Sequence, residues 1–389
     1  MFGYQNQKLK EINANHTAKE IKQQPRLWQE TVEIIKDNKA KINKFITKIS
    51  NLSQARIIFT GAGTSAFVGD TAAPYLDKKL PVKVESIATT DIVSNPKDYL
   101  HKKEPTLLIS CARSGNSPES LATIRLAEKI VDDLYQIILT CNREGDLAKE
   151  NIDNDKNLVV FMPKDAHDKG FAMTGSFTTM LLSSLLIFNL DSLEQSKKNI
   201  KKIVNLGEKV LENNVDILKE ITNYDFNRLI YLGSSPLKGL ATEAALKMLE
   251  LTRGKVMSSY NSALGFRHGP KSVINDQTVV INYLSNDPYT RKYETDLVKE
   301  MVAESGEQKI IAISEYQDDE IEELVDLFIS LNDQNKGELA DVYLAFPYIL
   351  NAQMLALFKS IQLGITPDNP VPDGSVNRVV KGVKIYPWN

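Results

Sequence analysis

The stretch RIIFTG at residues 56–61 reappears as RLIYLG at residues 228–233, 172 positions later. Three further apolar runs recur in the same order: TLLIS at 106–110 as TVVIN at 278–282, QIILT at 136–140 as KIIAI at 309–313, and NLVVF at 157–161 as DLFIS at 326–330. The offsets of these three pairs are 172, 173 and 169 residues. Because the period is the size of a domain, the sequence predicts two copies of one domain rather than a solenoid.

Each run is short, rich in β-branched residues and apolar without alternation, which is typical of parallel strands buried on both faces. Helical patterns separate the runs, such as ESLATIRLAEKIVDDL in the first copy and ATEAALKMLELTRG in the second. Strands alternating with helices predict the α/β class, here two duplicated αβα sandwiches with doubly wound parallel sheets. Such sheets bind ligands beyond the carboxyl ends of their strands, so we expect the chemistry in the loops that follow these runs.

The segments around the repeats complete the predicted domain plan. Residues 1–45 are helical in pattern and predict one or two helices packed on the first domain. The two copies of the repeat are assigned to residues 46–200 and 201–365. Residues 366–389 are rich in Pro and Gly and are predicted to be a C-terminal tail that closes over the site.

Composition excludes several classes of protein. The chain has 389 residues, of which 42% are hydrophobic and 25% charged, as in soluble globular proteins. A net charge of −3 gives no global basic field for nucleic acid. Two cysteines and four scattered histidines predict neither a disulfide framework nor a metal site. The N-terminus lacks an apolar signal segment, and the longest apolar run, residues 177–190, is short for a membrane span. We therefore expect a cytoplasmic protein with no metal, cofactor, nucleic-acid or membrane partner.

Two glycine- and hydroxyl-rich loops follow the first two runs. In GAGTSAFVGD, residues 61–70, Gly63 permits a tight turn, and Thr64 and Ser65 are expected to cap the next helix. A helix N-terminus at that point would bind an anion. The dinucleotide-binding pattern G-x-G-x-x-G fits less well, because Ala66 replaces its third glycine. That pattern also needs an acidic residue about 20 positions later to bind the ribose, and Glu85 matches this position only approximately.

The second loop, CARSGNSPES at residues 111–120, predicts a phosphate site. Its hydrogen-bonding side chains surround Gly115: Arg113, Ser114, Asn116 and Ser117. Many short donors and one arginine suit a phosphomonoester. The alternative is a serine-rich turn that only caps a helix. Thr174 and Ser176, in AMTGSFTT at residues 172–179, are further candidate contacts for sugar or phosphate.

Glu243, Lys247 and Glu250 lie at positions i, i+4 and i+7 of a predicted helix and therefore share one face. Such spacing often marks a solvated salt-bridge ladder. The rest of this helix is apolar, however, so it is predicted to be buried, and buried charges are usually functional or strictly paired. His268, in GFRHGP, precedes a Gly-Pro turn and is the histidine with a supporting context.

These motifs carry a resemblance to a known family. GAGTS together with the SGNSPES loop resembles the sugar-isomerase (SIS) domain family, which binds phosphosugars. Residues 239–274 resemble the isomerase half of glucosamine-6-phosphate synthase, and SVNRVVKGVKIY at 375–386 resembles that enzyme's lysine tail. From about residue 40 onward, the chain is most similar to the galactosamine-6-phosphate deaminase/isomerase family, formerly called tagatose-6-phosphate ketose/aldose isomerases.

The resemblance implies roles for particular residues. It makes Glu250 the base that moves a proton between C1 and C2 of an open-chain sugar. Lys247 would stabilise the developing oxyanion, and Glu243 would orient Lys247 or a sugar hydroxyl. His268 matches the ring-opening residue, which in relatives reaches the neighbouring subunit's site and so implies a homodimer. Lys381 matches the tail lysine that closes over the open-chain sugar.

The chain also departs from the synthase pattern. Ala112 and Arg113 stand where the synthase has Ser and Gln, so phosphate contacts must differ there. Residue 2 is Phe2 rather than the cysteine of a glutaminase domain, which excludes glutamine hydrolysis. We therefore expect conversion of a hexosamine 6-phosphate, galactosamine 6-phosphate by preference, to a ketohexose 6-phosphate with release of ammonia. Two alternatives stay open: simple aldose–ketose isomerisation, and a non-catalytic phosphosugar-sensing regulator.

Overall fold

The computed structural model describes residues 1–50, 55–190, 193–304, 306–380 and 382–388. The chain divides into two compact units, named here by the copy of the repeat that each contains. The first-copy unit comprises Arg26–Asp168, Met173–Lys198 and Asp373–Asn389. The second-copy unit comprises Met1–Pro25, Lys169–Ala172 and Asn199–Pro372. The predicted boundaries at residues 45 and 366 do not coincide with the limits of these units.

The N-terminal segment forms four helices rather than the one or two predicted. They are α1 (Asn6–Glu11), α2 (Asn15–Lys22), α3 (Gln24–Asp37) and α4 (Lys39–Ser50). The first two belong to the second-copy unit, and not to the first domain as expected, because long-range hydrogen bonds hold them there. The Thr17 backbone N–H donates to Asp368 at 2.7 Å, and Glu20 accepts from the Lys169 backbone N–H at 2.6 Å.

The first-copy unit contains a five-stranded parallel sheet in the order β2-β1-β3-β4-β5. Its strands are β1 (Arg56–Thr60), β2 (Val84–Ser86), β3 (Thr106–Ala112), β4 (Leu134–Thr140) and β5 (Asn157–Phe161). The connecting helices are α5 (Thr64–Lys79), α6 (Thr89–Ser94), α7 (Pro96–Tyr99), α8 (Pro118–Ile130), α9 (Asp146–Lys149) and α10 (Gly175–Ile187). β1 and β3 are neighbours, so the loops that follow them share one edge of the sheet.

The second-copy unit repeats this plan. Its parallel sheet has the order β10-β9-β8-β6-β7, which matches the first sheet strand for strand. The strands are β6 (Arg228–Leu232), β7 (Met257–Asn261), β8 (Thr278–Tyr283), β9 (Lys309–Ser314) and β10 (Leu327–Ser330). The helices are α11 (Leu193–Asn213), α12 (Val215–Thr222), α13 (Pro236–Leu251), α14 (Ala263–Arg267), α15 (Pro288–Ala303), α16 (Asp319–Glu322) and α17 (Asp341–Gln362). The predicted duplication is confirmed.

The duplication extends to backbone geometry at the first strand–helix turn. A Cβ added at Gly61 would lie 2.5 Å from the Ser65 carbonyl carbon, and one added at Gly233 would lie 2.4 Å from the Leu237 carbonyl oxygen. In both copies the residue before the helix is left-handed. Gly63 has φ 55° and Ser235 has φ 54°. Glycine adopts this conformation without strain, whereas Ser235 does so at a cost in free energy.

Two apolar helices lie in the cores of the units. Every residue of α10 is buried, so the apolar run at 177–190 forms a buried helix over most of its length. In the second-copy unit, α17 is long and apolar enough to cross a membrane, but 94% of its most apolar window is buried inside the protein. This burial is typical of the core helix of a soluble domain.

Candidate active site

The loop after β1 begins α5 without a side-chain cap. Thr64 and Ser65 were expected to cap this helix, and the structure shows that they do not. Gly63 is the N-cap residue, and both hydroxyl residues are already helical and buried. The Ser65 hydroxyl contacts the Met173 sulfur at 3.8 Å. The first turn of α5 therefore presents backbone N–H groups at the carboxyl edge of the sheet, where an anion would be stabilised.

In the loop after β3, residues 113–117, the predicted side chains make an ordered turn. Ser117 is the N-cap of α8 and accepts from the Ser120 backbone N–H at 3.3 Å. The Ser114 hydroxyl oxygen accepts from the Asn116 N–H at 3.3 Å. The Asn116 Oδ1 atom accepts from the Asp146 N–H at 2.9 Å. These bonds use the oxygens as acceptors, which leaves the Ser114 O–H proton and the Asn116 NH₂ group oriented by the turn as donors.

Arg113 is buried beside the C-terminal tail. Its Nη2 atom donates to the Arg378 carbonyl at 2.9 Å, and the Arg378 guanidinium donates in turn to the Asp168 carbonyl. Half-burial lowers the pKa of His167, and the charges of Arg378 and Arg113 lower it further. Two guanidinium groups and one carboxylate, that of Asp168, therefore lie near His167 in the first-copy unit, and their net positive charge favours a ligand with negative charge.

Thr174 and Ser176, predicted as substrate contacts, have a different partner. Both hydroxyls donate to the Asp168 carboxylate, which also accepts the backbone N–H groups of Thr174, Gly175 and Ser176 at 2.9–3.1 Å. Thr174 and Ser176 are 1% and 0% exposed. The structure thus assigns them to capping α10 through Asp168.

Three residues that sequence reasoning missed support these loops: Asn142, Asp168 and Arg378. The Asn142 side chain donates to the Ser114 carbonyl at 2.8 Å and so fixes the loop after β3. Asn142 follows β4 by two residues, so the rule that ligand residues follow strands could have found it. Asp168 belongs to none of the motifs quoted above. Arg378 lies in the tail segment 375–386, but its role depends on contacts with Arg113 and Asp168, which are 265 and 210 residues away in the sequence.

Glu243, Lys247 and Glu250 form a contiguous charged triad on α13, as predicted. The Lys247 Nζ atom lies 2.6 Å from Glu250 Oε2 and 3.4 Å from Glu243 Oε1. The side chains of Lys247 and Glu243 are 0% exposed, whereas that of Glu250 is 23% exposed. Two carboxylates and one ammonium leave the triad with an excess negative charge, and the carboxylate that reaches the surface is Glu250.

The structure describes one of the other two predicted catalytic residues, His268. His268 is exposed at the end of α14, where its backbone N–H donates to the Gly265 carbonyl at 3.1 Å. Gly269, with φ 111°, begins the turn that the Gly-Pro pair predicted. Lys381 lies outside the described residues.

Carboxylates occupy the position in the second copy that corresponds to the predicted phosphate loop. After β8, the Ser285 N–H donates to Glu294 at 2.8 Å and the Asn286 N–H donates to Asp341 at 2.8 Å. Asp287 caps α15 at the place where Ser117 caps α8. Because these side chains already accept the backbone N–H groups that would bind an anion, phosphate binding is favoured in the first copy.

Comparisons with known proteins agree with this architecture. A family model described as SIS domain matches residues 52–190. D-galactosamine-6-phosphate deaminase AgaS from Shewanella sp. (strain ANA-3) is 43% identical over 385 residues, which cover 98% of this chain and 94% of that protein. The chain belongs to the SIS-domain family. The resemblance identified in its loops is therefore confirmed over almost the whole sequence.

Solved structures extend the SIS assignment to the duplicated fold. Tagatose-6-phosphate ketose/aldose isomerase from Escherichia coli has a TM-score of 0.87 and 38% identity, covering 96% of each chain. A structure from Clostridium novyi NT has a TM-score of 0.98 and 53% identity, covering 100% of this chain and 99% of that chain. The SIS-domain match covers the first copy, and the second sheet repeats its strand order.

Proposed function

We propose that the protein is a phosphosugar-converting enzyme, specifically a deaminase that turns galactosamine 6-phosphate into tagatose 6-phosphate and ammonia. The observation that carries the proposal is the α13 triad. It holds one solvent-reaching carboxylate, Glu250, 2.6 Å from a fully buried ammonium, Lys247. A relative that shares 43% of its residues over nearly the full chain is named for this deamination.

The first-copy unit supplies the features expected of a phosphate site. The N-termini of α5 and α8 follow the adjacent strands β1 and β3, so both present backbone N–H groups at the same edge of the sheet. Ser114 and Asn116 add side-chain donors, and Arg113 supplies positive charge. We assign the 6-phosphate to this edge.

The proposed chemistry gives each member of the triad a different role. Glu250 removes the C2 proton of the open-chain amino aldose, which gives an enolamine. Lys247 stabilises the negative charge that develops on the C1 oxygen, and Glu243 holds Lys247 in place. Return of the proton to C1 gives a ketimine at C2, which water hydrolyses to the ketose and ammonia. His268 would assist ring opening, and Lys381 would cover the open-chain sugar.

Simple aldose–ketose isomerisation is the second candidate, because the structurally similar Escherichia coli protein is named a tagatose-6-phosphate ketose/aldose isomerase. The same base serves both reactions, since each moves a proton between C1 and C2. A homodimer in which His268 serves the neighbouring subunit's site, and a cytoplasmic location, belong to the same proposal. A phosphosugar sensor would have no use for the Lys247–Glu250 pair.

The test is ammonia release from galactosamine 6-phosphate and from glucosamine 6-phosphate, coupled to glutamate dehydrogenase. Ammonia from the galacto substrate supports the deaminase and its epimer choice. Ammonia from the gluco substrate alone retains the mechanism and changes the substrate. If neither releases ammonia but tagatose 6-phosphate is converted to an aldose phosphate, the protein is the isomerase. Binding without conversion of any of the three contradicts an enzymatic role.

Glu250→Gln identifies the base within the same assay. The substitution removes the proton acceptor while retaining the size of the side chain, so we expect kcat to fall about 10²–10⁴-fold. Glu212→Gln, at an exposed position in the same unit, is the matched control and should retain full turnover. Near-normal activity of Glu250→Gln would refute the assignment of the base.

A further inference from the structure

The short helix α14 leads into the turn that carries His268, and it packs against α15. Phe266 of α14 is 1% exposed and lies in one apolar cluster with Leu297 and Met301 of α15. His268 follows two residues later and is exposed, and no hydrogen bond or ion pair joins its ring to the described part of the chain. The placement of this ring therefore depends on the backbone of the turn.

Local hydrogen bonds shape the His268 turn, defined here as residues 267–271. The His268 backbone N–H donates to the Gly265 carbonyl at 3.1 Å, and the Ser272 N–H donates to the Gly269 carbonyl at 3.0 Å. Each of these bonds joins residues three positions apart, so it sets the conformation of the turn but not its position on the protein. Gly269, with φ 111°, adds conformational freedom between them.

Side chains on either side of His268 tie the turn to α15. The Arg267 Nε atom lies 2.8 Å from Glu300 Oε2, and the Lys271 ammonium contacts Glu300 Oε1. The same ammonium lies 2.5 Å from Glu304 Oε1. Each oxygen of the Glu300 carboxylate thus faces a cation from a different end of the turn. One side chain of α15 therefore joins the two residues that flank the His268–Pro270 segment.

Stability alone does not explain this arrangement. The side chains of Arg267, Lys271 and Glu300 are 28%, 22% and 35% exposed. Ion pairs with this access to water contribute little to folding, because solvent screens the charges and ordering long side chains costs entropy. What a carboxylate shared by two cations does provide is a defined distance between the two ends of the turn and α15.

We propose that Glu300 is a positioning residue that orients the His268 turn by holding Arg267 and Lys271. The inference rests on the proposed function, in which His268 assists ring opening of the sugar. Glu300 has no contact with the sugar in this proposal and acts through the backbone between its two partners. Glu304 contacts one end of the turn, so its contribution is smaller.

Glu300→Gln keeps the size of the side chain and removes the charge that holds both cations. We expect kcat to fall about tenfold with KM changed by less than about twofold, because a displaced catalytic group slows the reaction without removing a substrate contact. Lys299→Met is the matched control. It breaks the 2.5 Å ion pair that joins α15 to Glu320 of α16, and it should retain kcat. Wild-type kcat in Glu300→Gln would overturn the proposal.

A double-mutant cycle separates positioning from a general effect on the enzyme. In a His268→Asn background, Glu300→Gln should change kcat by less than about twofold, because a residue that acts through His268 has no catalytic group left to orient. The same tenfold loss with and without His268 would overturn the proposal, since Glu300 would then act on another part of the enzyme.

Amide hydrogen exchange tests the contact without turnover. Exchange in residues 264–274 is followed by mass spectrometry in the full-length wild type, Glu300→Gln and Lys299→Met. We expect exchange there to be at least about threefold faster in Glu300→Gln and unchanged in Lys299→Met, because a released turn opens more often. Unchanged exchange in Glu300→Gln would overturn the proposal even in an active enzyme. If the wild type converts no sugar phosphate, the proposed function fails, and exchange still decides whether Glu300 holds the turn.

Discussion

Lys247→Met tests whether the α13 triad is held by its central ammonium. Methionine keeps most of the unbranched side chain, so the change removes the charge with little loss of packing volume. The ammonium lies 2.6 Å from Glu250 and 3.4 Å from Glu243, and its side chain is 0% exposed. Its removal leaves two neighbouring carboxylates without the cation between them.

The two carboxylates contribute unequally to the expected loss. Glu250 is 23% exposed, so water can solvate its charge when the lysine is gone. Glu243 is 0% exposed and has no such access. Removing one partner of a buried ion pair destabilises a protein by about 3–5 kcal/mol, and most of this should come from Glu243. For a unit of about 200 residues, this corresponds to a fall in Tm of about 6–20 °C.

The assay is urea and thermal denaturation at pH 7.5, followed by circular dichroism. Lys238→Met is the matched control, because Lys238 lies on the same helix but is exposed, and it should stay within about 0.5 kcal/mol of the wild type. The double variant Glu243→Gln with Lys247→Met should regain at least half of the lost stability, since it removes the buried negative charge that Lys247 balances in the wild type.

A loss of less than about 1 kcal/mol in Lys247→Met would refute the reasoning, because it would mean that the buried ammonium is not needed to balance Glu243. Failure of the double variant to recover would locate the damage in packing rather than in charge. Ammonia release measured on the same samples should fall at least about 10²-fold in Lys247→Met, since the developing oxyanion loses its counter-charge.

Three further predictions concern other parts of the chain. Burial raises the pKa of Glu294 to about 7, so the folded state retains a proton that the unfolded state releases between about pH 4.5 and pH 7. Wild-type stability should therefore fall relative to Glu294→Gln as pH rises through that window, by up to about 3 kcal/mol, and an equal difference in urea denaturation at pH 5 and pH 8 would contradict this. Gly61→Ala places a Cβ 2.5 Å from the Ser65 backbone and should cost about 1–3 kcal/mol in thermal unfolding and weaken binding of inorganic phosphate, which calorimetry would measure. Trp388→Ala removes the ring that two lysines contact at 5.1 and 5.7 Å, so tryptic cleavage after Lys384 should accelerate about fivefold without a change in Tm. An unchanged cleavage rate would show that the tail is held elsewhere.

The sequence alone determined the duplicated α/β architecture. The repeated apolar runs became β1, β3, β4 and β5 in one sheet and β6, β8, β9 and β10 in the other, because strands buried on both faces must be apolar throughout. The same rule placed the candidate loops at strand ends. The spacing of Glu243, Lys247 and Glu250 also sufficed to predict one helical face, because that spacing is a property of the helix itself.

Only the tertiary structure decided which partners the polar side chains take. Thr64 and Ser65 are residue types that often cap helices, but Gly63, with its left-handed backbone, is the N-cap, and the helix already includes Thr64. Thr174 and Ser176 are close in sequence to a predicted loop, yet both donate to Asp168, whose position depends on the packing of α10. Glu250 is the one member of the triad whose side chain is partly exposed, and this exposure depends on which elements pack against α13. Local patterns specify backbone conformation and burial, whereas the choice of hydrogen-bond partner, even between residues as close as Asp168 and Thr174, depends on how the loops and helices pack.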